Sequence, residues 1–343
     1  MRGLLKIFLL MGILGLGFLG YRFFVFENSA ASKGQEVVII EIEKGDTMAA
    51  ISHKLANAGF SIDPLFRRLW VRQFNVERKL QIGEFEIQPN LSAAKILHKL
   101  FFGTPITRAV TIKEGSNLYE IEAHLKSKSI TGAETSFQEW ARKPELLEKM
   151  GVPKGIPANA RSLEGFLFPE TYTYFKSDSV EKILKAMLNQ FETKALPLLK
   201  KHPMGQTPEG RFQLLTLASV VEKESGNVDE QPIVASVFWN RLKKKMRLES
   251  DPTIIYGLLP NFDGNIRRGD IRAPSVWNTY VIRTLPAGPI SNPGLTAIRA
   301  VVEPAITEYL FFVAKGAGEH VFSKTYAEHS KNVERYQLRR SSN

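Results

Sequence analysis

Leu214-Leu-Thr-Leu-Ala218-Ser-Val-Val-Glu222-Lys-Glu224-Ser225-Gly226 reads as a helix that is apolar almost all round, so its place is the interior, and the glycine marks its end. Two acids close it. At about 100° per residue, Glu224 projects on the side of Leu217 and Val220, whereas Glu222 points about 200° away, beside Leu215 and Ala218. Unless the helix distorts, the two carboxyls cannot serve one atom. A carboxyl among apolar side chains has its charged form destabilised, and a raised pKa lets it carry a proton at neutral pH to a leaving oxygen. The same pattern also fits a helix end that emerges into water with both acids solvated, the ordinary place for Asp and Glu. Periodicity leaves both readings open.

Around this helix the chain is long enough, at 343 residues, for two domains with separate cores. An apolar fraction of 43% and a charged fraction of 24% exclude wholesale disorder. There is no cysteine, which excludes disulfides, thiolate zinc sites, cysteine nucleophiles and a lipid carried on an N-terminal cysteine. Net charge is +11, which fits anionic partners such as lipid headgroups, cell-wall polymers or nucleic acid, and fits better still basic residues scattered for solubility. Nucleic acid is not expected: the one dense basic run, Lys243-Lys244-Lys245 with Arg241 and Arg247, is short and no nucleic-acid motif accompanies it. His320 and His329 lack metal-ligand spacing and read as structural, so neither a metal nor a cofactor is expected.

The N-terminus carries the next signal. Leu4 to Phe26 is apolar except for Lys6 and Arg22, and as a helix it would measure roughly 34 Å, enough to cross a bilayer's hydrocarbon core. Arg2 and Lys6 precede it and by the positive-inside rule stay in the cytoplasm, which sends the rest across. Arg22 can snorkel to the far interface, and Tyr21, Phe23, Phe24 and Phe26 read as the aromatic belt of a retained anchor. The competing reading is a signal peptide cleaved near Ser29-Ala30-Ala31. Either way the body is exported.

Residues 27–35 are small and polar, a tether. Two segments then resemble each other: Glu41-Ile-Glu-Lys-Gly45-Asp-Thr-Met-Ala-Ala-Ile51-Ser-His-Lys-Leu55 and Thr111-Ile-Lys-Glu-Gly115-Ser-Asn-Leu-Tyr-Glu-Ile121-Glu-Ala-His-Leu125. Each implies a strand, a glycine turn, an N-cap (Asp46 or Thr47; Ser116 or Asn117) and an amphipathic helix. Between them Gly83 to Ile87 alternates as a strand, and Ser92 caps a helix with Ile96, Leu97 and Leu100 on one face. Residues 36–104 therefore form a compact α+β module, bounded by Gly103-Thr104-Pro105. From 107 to 343 the chain is α-rich and ends in two strands, Tyr309 to Ala314 and His320 to Ser323, joined by the Lys315 to Gly318 loop.

Several long motifs occur in order. Val221-Glu-Lys-Glu224-Ser225 is followed by Val234-Ala-Ser-Val-Phe-Trp-Asn240-Arg241-Leu242 and Met246-Arg-Leu-Glu-Ser250-Asp251-Pro252-Thr253-Ile-Ile-Tyr256-Gly257. Leu163-Glu164-Gly165-Phe-Leu-Phe168-Pro169-Glu170-Thr171-Tyr172 lies upstream; Asn278-Thr279-Tyr280 and Leu285-Pro-Ala-Gly-Pro289-Ile-Ser-Asn292-Pro293-Gly294 lie downstream. Together they resemble the MltG (YceG-like) family of endolytic murein transglycosylases, from the anchor to the terminal hairpin.

That resemblance implies a cytoplasmic N-terminus at 1–3, a transmembrane anchor at 4–26, a tether at 27–35, a LysM-like module at 36–104 and a catalytic domain at 107–343. The fold class would be α+β, with a mixed α/β catalytic domain around a lytic-transglycosylase-like helical core. It places the catalytic glutamate on Glu224 and implies non-hydrolytic cleavage of the MurNAc–GlcNAc bond of nascent glycan strands, leaving a 1,6-anhydro end and terminating elongation. Residues that could contact the sugar are Glu164, Glu222, Ser225, Asp251, Thr253, Tyr256, Asn278 and Tyr280. Asp251 in Ser-Asp-Pro fits a helix start equally well, and Glu164 a loop acid satisfied by backbone amides. Glu249 stands where the family more often has Gln. The implied partners are peptidoglycan strands, cytoplasmic-membrane lipid and peptidoglycan polymerases (penicillin-binding proteins); whether the module binds glycan or only spaces stays open. The alternative is a non-enzymatic, membrane-anchored peptidoglycan-binding scaffold.

Overall fold

The computed structural model describes residues 2–75, 80–130, 137–142, 157, 160, 162–316 and 318–338. Met1, at the expected cytoplasmic end, and Ala317, in the loop expected to join the terminal strands, lie outside them. The chain divides into two compact units, Met1–Arg108 with Thr173–Ser177, and Ala109–Tyr172 with Asp178–Asn343.

The first unit opens with α1 (Arg2–Asn28). Its stretch Leu4–Asn28, in which the most apolar 18 residues have a mean hydropathy of 2.0, is long and apolar enough to cross a membrane. The last turns of α1 differ from the sequence reading. Phe26 is buried in the unit's core, the rings of Phe23 and Phe26 lie 5.6 and 5.8 Å from that of Phe66, and Arg22 pairs with Asp63. So Phe26 leaves the expected aromatic belt, and Arg22 has a carboxylate partner. The segment read as a tether is also laid down on the unit. Ala31 N–H donates to Leu91 O at 2.9 Å, its carbonyl accepts from Ser61 N–H at 2.7 Å, and Ala30 and Ser32 form isolated bridges to Ser92 and Phe60. The small residues Ser29 to Ser32 let the backbone approach this closely.

Strand β1 (Val38–Ile42) pairs antiparallel with β2 (Gly83–Ile87), Val38 opposite Ile87 and Ile42 opposite Gly83. Between them run α2 (Met48–Asn57) and α3 (Pro64–Gln73), and α4 (Ala93–Phe102) follows. Each helix starts where a side-chain oxygen can accept from its first turn: Thr47, Asp63 and Ser92. Alternation along the strands and the apolar faces of α2 and α4 build one core, with Ile42, Ile51, Phe85, Ile87, Ile96 and Leu100 almost wholly buried.

The chain passes between the units in β3 (Thr107–Thr111) and β4 (Thr171–Phe175), which pair with each other. The second unit contains α5 (Leu118–Ser127), α6 (Phe137–Ala141), α7 (Val180–Gln190) and α8 (Leu196–Leu199). After these come α9 (Pro208–Glu224), α10 (Gln231–Lys243), α11 (Asp251–Leu258), α12 (Arg268–Arg272) and α13 (Leu295–Val302). The hairpin of β5 (Phe311–Gly316) and β6 (Glu319–Ser323), then α14 (Tyr326–Val333), complete it. Helices rather than a large sheet carry its core, so α+β describes it. The two similar segments fold alike: Gly45 and Gly115 both take positive φ (99° and 75°), and Thr47 and Asn117 cap the helices after them.

Helix α9 lies at the centre of this unit, packed by α10 and α13. Leu214, Leu215, Leu217, Ala218, Val220 and Val221 are fully buried, each large one contributing about 1.5–3 kcal/mol. The polar residues of this run turn inward. Thr216 Oγ1 donates to Phe212 O, and Ser219 Oγ donates to Thr216 O while accepting from Ile290 N–H at 3.0 Å. The helix starts on the Thr207 cap and Pro208, and it ends at Glu224, two residues before the expected glycine, because Ser225 takes extended angles (φ −120°, ψ 110°).

Gly210, in the first turn of α9, separates propensity from packing. Alanine for glycine in a helix ordinarily gains about 1 kcal/mol. Here a Cβ would overlap the Met204 carbonyl oxygen. Gly210→Ala should therefore lower stability, by about 1–3 kcal/mol, in thermal or urea unfolding of the detergent-solubilised protein; a gain would contradict the packing.

Candidate active site

Glu224 is the last residue of α9, where the helix's unpaired carbonyls disfavour a negative charge. It is half-buried and lines a cleft of about 470 Å³ in the second unit, with Arg241, Asp251, Tyr280, His320 and His329 among the walls. Ser250 Oγ donates to Glu224 Oε1 at 2.5 Å. Burial pushes the carboxyl's pKa up to about 7; the Ser250 hydrogen bond pulls it down, Asp251 raises it, and His320 and Arg241 lower it. Loss of solvent contact outweighs the one hydrogen bond, so this group can hold a proton near neutral pH.

The residues around Glu224 are held by a second layer. Ser250 is buried, its N–H donating to Thr279 Oγ1 at 3.0 Å. Thr253 Oγ1 donates to Ser250 O at 2.6 Å and lies 2.9 Å from Thr279 Oγ1. Asn278 Nδ2 donates to the carbonyls of Asp270, Ile271 and Ala273 at 2.9–3.0 Å, while its Oδ1 accepts from Tyr280 N–H. Tyr280 then donates its hydroxyl to Asp251 Oδ1 at 2.7 Å, and burial followed by Asp251 raises the phenol's pKa. Asp251 is thus the first residue of α11 and a wall of the cleft at once.

Two nitrogenous groups face the same cleft. Arg241, only 7% exposed, donates Nε to Leu310 O at 2.6 Å and Nη1 to Leu248 O at 2.9 Å, and its guanidinium lies over the Phe311 ring. Its Nη1 also reaches Glu249 Oε2 at 3.2 Å, so Glu249 acts as a partner for this arginine. Glu249 itself takes a left-handed conformation (φ 52°) in the loop that delivers Ser250. His320 Nδ1 lies 2.7 Å from Glu230 Oε2, and the backbone N–H of His320 donates to Glu230 Oε1 at 3.1 Å.

Of the residues expected to contact sugar, Asp251 and Tyr280 meet Glu224 at the cleft. Thr253 and Asn278 are buried beneath it, and Ser225 is buried in the turn after α9, its hydroxyl donating to Asn227 O. Glu222 points elsewhere, accepting from Gly294 N–H at 3.0 Å; burial raises its pKa. Glu164 and Tyr256 are joined to each other. Glu164, 1% exposed, accepts from Leu118 N–H, Tyr256 hydroxyl and Asn292 Nδ2 at 3.1, 3.0 and 2.8 Å. Neither lines the cleft, and Glu164 therefore clamps three chain segments. Ser250 was not singled out from sequence, Arg241 stood there only in a basic run, and His320 and His329, read there as structural, line the cleft. The signal for Arg241 and Ser250 was present in the quoted motifs, beside Asn240 and Asp251.

The YceG-like family matches residues 40–335. The endolytic murein transglycosylase of Bacillus subtilis (strain 168) is 32% identical over 315 residues, covering 87% of this chain and 84% of that protein. That of Streptococcus pneumoniae serotype 2 (strain D39) is 28% identical over 346 residues, covering 92% of this chain and 62% of that protein. The crystal structure of a yceG-like protein from Listeria monocytogenes is similar with a TM-score of 0.56 and 29% identity, over 87% of this chain and 100% of that one.

Glu164 has three donors and no opening to the cleft, so its removal should be read in stability. Glu164→Gln turns one acceptor into a donor facing Asn292 Nδ2, and should cost about 2–3 kcal/mol in thermal or urea unfolding while leaving the pH profile of the remaining activity in place. A stable variant with a shifted profile would move Glu164 into the chemistry.

Proposed function

The chain belongs to the YceG-like family, and from that premise we propose that it is an endolytic peptidoglycan lytic transglycosylase with Glu224 as its one acid and base. The observation that carries this is a carboxyl with a pKa pushed up to about 7, tied by one hydrogen bond to Ser250 and lining a cleft of about 470 Å³.

In this reading Glu224 in its acid form gives its proton to the oxygen that links N-acetylmuramic acid C1 to N-acetylglucosamine. That C1–O bond breaks, the muramic C6 oxygen bonds to C1, and its proton passes to the Glu224 carboxylate. The products are a 1,6-anhydro end and a free sugar hydroxyl, and the acid is regenerated without water. Because the sugar supplies the attacking oxygen, one carboxyl suffices, in contrast with enzymes that need a pair. Ser250 holds one oxygen of Glu224 in place. Arg241 and His320 are placed to stabilise the carboxylate after the proton leaves, and Asp251 with Tyr280 can hydrogen-bond sugar groups.

Helix α1 would hold the enzyme in the cytoplasmic membrane with Arg2 and Lys6 inside and the catalytic part outside. There it would cut strands beside the polymerases that make them and so terminate elongation. The strand–helix–helix–strand order of residues 38–87 supports reading 36–104 as a LysM-like module.

Full-length protein in detergent, given peptidoglycan, should release anhydro-muropeptides by mass spectrometry. Products heavier by one water would indicate a hydrolase, and no product would leave a scaffold. Glu224→Gln should lower the yield by about 10²–10⁴-fold. The rate of the wild type should fall as pH rises through about 7, as the acid form is lost.

The same group should be visible in stability. Its folded pKa lies above the ordinary value of 4.5, so the folded state holds the proton more tightly, and the contribution present below about 4.5 is lost as pH climbs to about 7. Glu224→Gln keeps an oxygen for Ser250 and carries no charge. At pH 8 it should therefore be more stable than the wild type, by about 1–3 kcal/mol, with the difference vanishing near pH 4. Equal unfolding curves at pH 8 would contradict the burial argument.

A further inference from the structure

Helix α3 leaves apolar side chains uncovered beside the end of α1. Leu65 and Leu69 are 43% and 52% exposed, and Phe74 and Phe102 beyond them are exposed with their rings 6.3 Å apart. The helix has no acid within it and carries Arg67, Arg68 and Arg72. Arg67 bonds to Ser52 Oγ, whereas Arg68 and Arg72 are exposed and have no ion pair among the described residues. Leu65, Arg68, Leu69 and Arg72 follow the i, i+3, i+4, i+7 spacing of one face. An apolar stripe interleaved with unpaired arginines is costly in water and suited to the boundary between acyl chains and acidic headgroups.

The level of α3 along α1 points the same way. Counting about 20 residues of span from Leu4 places the far edge of the hydrocarbon near Phe23. Asp63, the cap of α3, is bonded to Arg22, and Phe66 in its first turns packs on Phe23 and Phe26. A groove of about 410 Å³ runs between the two helices, with Phe23, Phe66, Leu69 and Trp70 as its apolar wall and Glu27, Arg72 and Gln73 as its polar one. Phe23, exposed on α1, is part of its wall.

We propose that α3 and this groove are a seat for anionic phospholipid, the acyl chain lying against Phe23 and Leu69 and the phosphate against Arg68 and Arg72. The first unit is then set down on the bilayer surface and does not hang from it. The proposal rests on reading α1 as a membrane span.

The chain has no cysteine, so single cysteines can be introduced cleanly. Full-length protein carrying Leu69→Cys, Phe8→Cys or Lys44→Cys would be labelled with a polarity-sensitive fluorophore. Each would be reconstituted into phosphatidylcholine vesicles with increasing phosphatidylglycerol, and quenched by spin-labelled lipids. Phe8 lies within the span, and Lys44 is exposed in the polar turn after β1. Quenching at Leu69 should be at least about threefold stronger than at Lys44. It should rise with the phosphatidylglycerol fraction, and Arg68→Glu with Arg72→Glu should abolish that rise. Leu69 quenched no more than Lys44, with Phe8 strongly quenched, would overturn the lipid seat and keep the anchor. A quenching at Leu69 indifferent to phosphatidylglycerol and to the arginine changes would overturn the anionic headgroup. Absence of quenching at Phe8 would overturn the span, and the seat with it.

Discussion

Ending a helix with a buried middle on a carboxyl group imposes a cost that the surrounding chain has to meet. The apolar run from Leu214 to Val221 holds α9 in the interior, which delivers Glu224 to a place where its charge is disfavoured by lost solvent and by the helix's own carbonyl end. Ser250 answers with one hydrogen bond. Much of the architecture between Met246 and Tyr280 serves that serine: Thr253 and Thr279 fix its backbone, Arg241 and Glu249 fix the loop before it, and Asn278 ties the neighbouring carbonyls together.

Two acids in this unit, Glu164 and Glu224, have pKa values pushed up to about 7, and number alone does not tell them apart. Their partners do. Glu164 accepts three hydrogen bonds from three segments and has no access to the cleft, so its lone pairs are committed to structure. Glu224 has one donor and lines an opening large enough for sugar. A satisfied acid staples a fold, whereas an under-satisfied one on a cleft can exchange a proton with a ligand. The same logic sets Glu222 aside, since its oxygen is taken by Gly294 on another side of the helix.

Local features were legible in the sequence because local physics decides them. The strand at Gly83 to Ile87, the cap at Ser92, the caps at Thr47 and Asn117 to within one of two neighbouring residues, the buried run of α9 and the opposite directions of Glu222 and Glu224 follow from periodicity and capping chemistry. What a loop side chain touches was not legible. Thr253, Asn278 and Tyr256 have the polarity of sugar-binding residues, yet they spend it on neighbouring backbone and on Glu164. Arg241 and His320 reach the cleft from α10 and from the terminal hairpin, an approach that only tertiary packing creates. Small residues at 29–32 read as a flexible tether, although their lack of bulk is what lets them dock.

The whole account turns on where the proton of Glu224 resides. Carboxyl ¹³C shifts of glutamate-labelled protein, recorded across pH for the wild type and for Glu224→Gln, isolate that one group by difference. A titration near pH 7 is the result expected from its burial and its single serine partner. A midpoint near 4.5, the ordinary value for the side chain, would mean a solvated carboxylate with no proton to give at neutral pH, and would contradict the assignment.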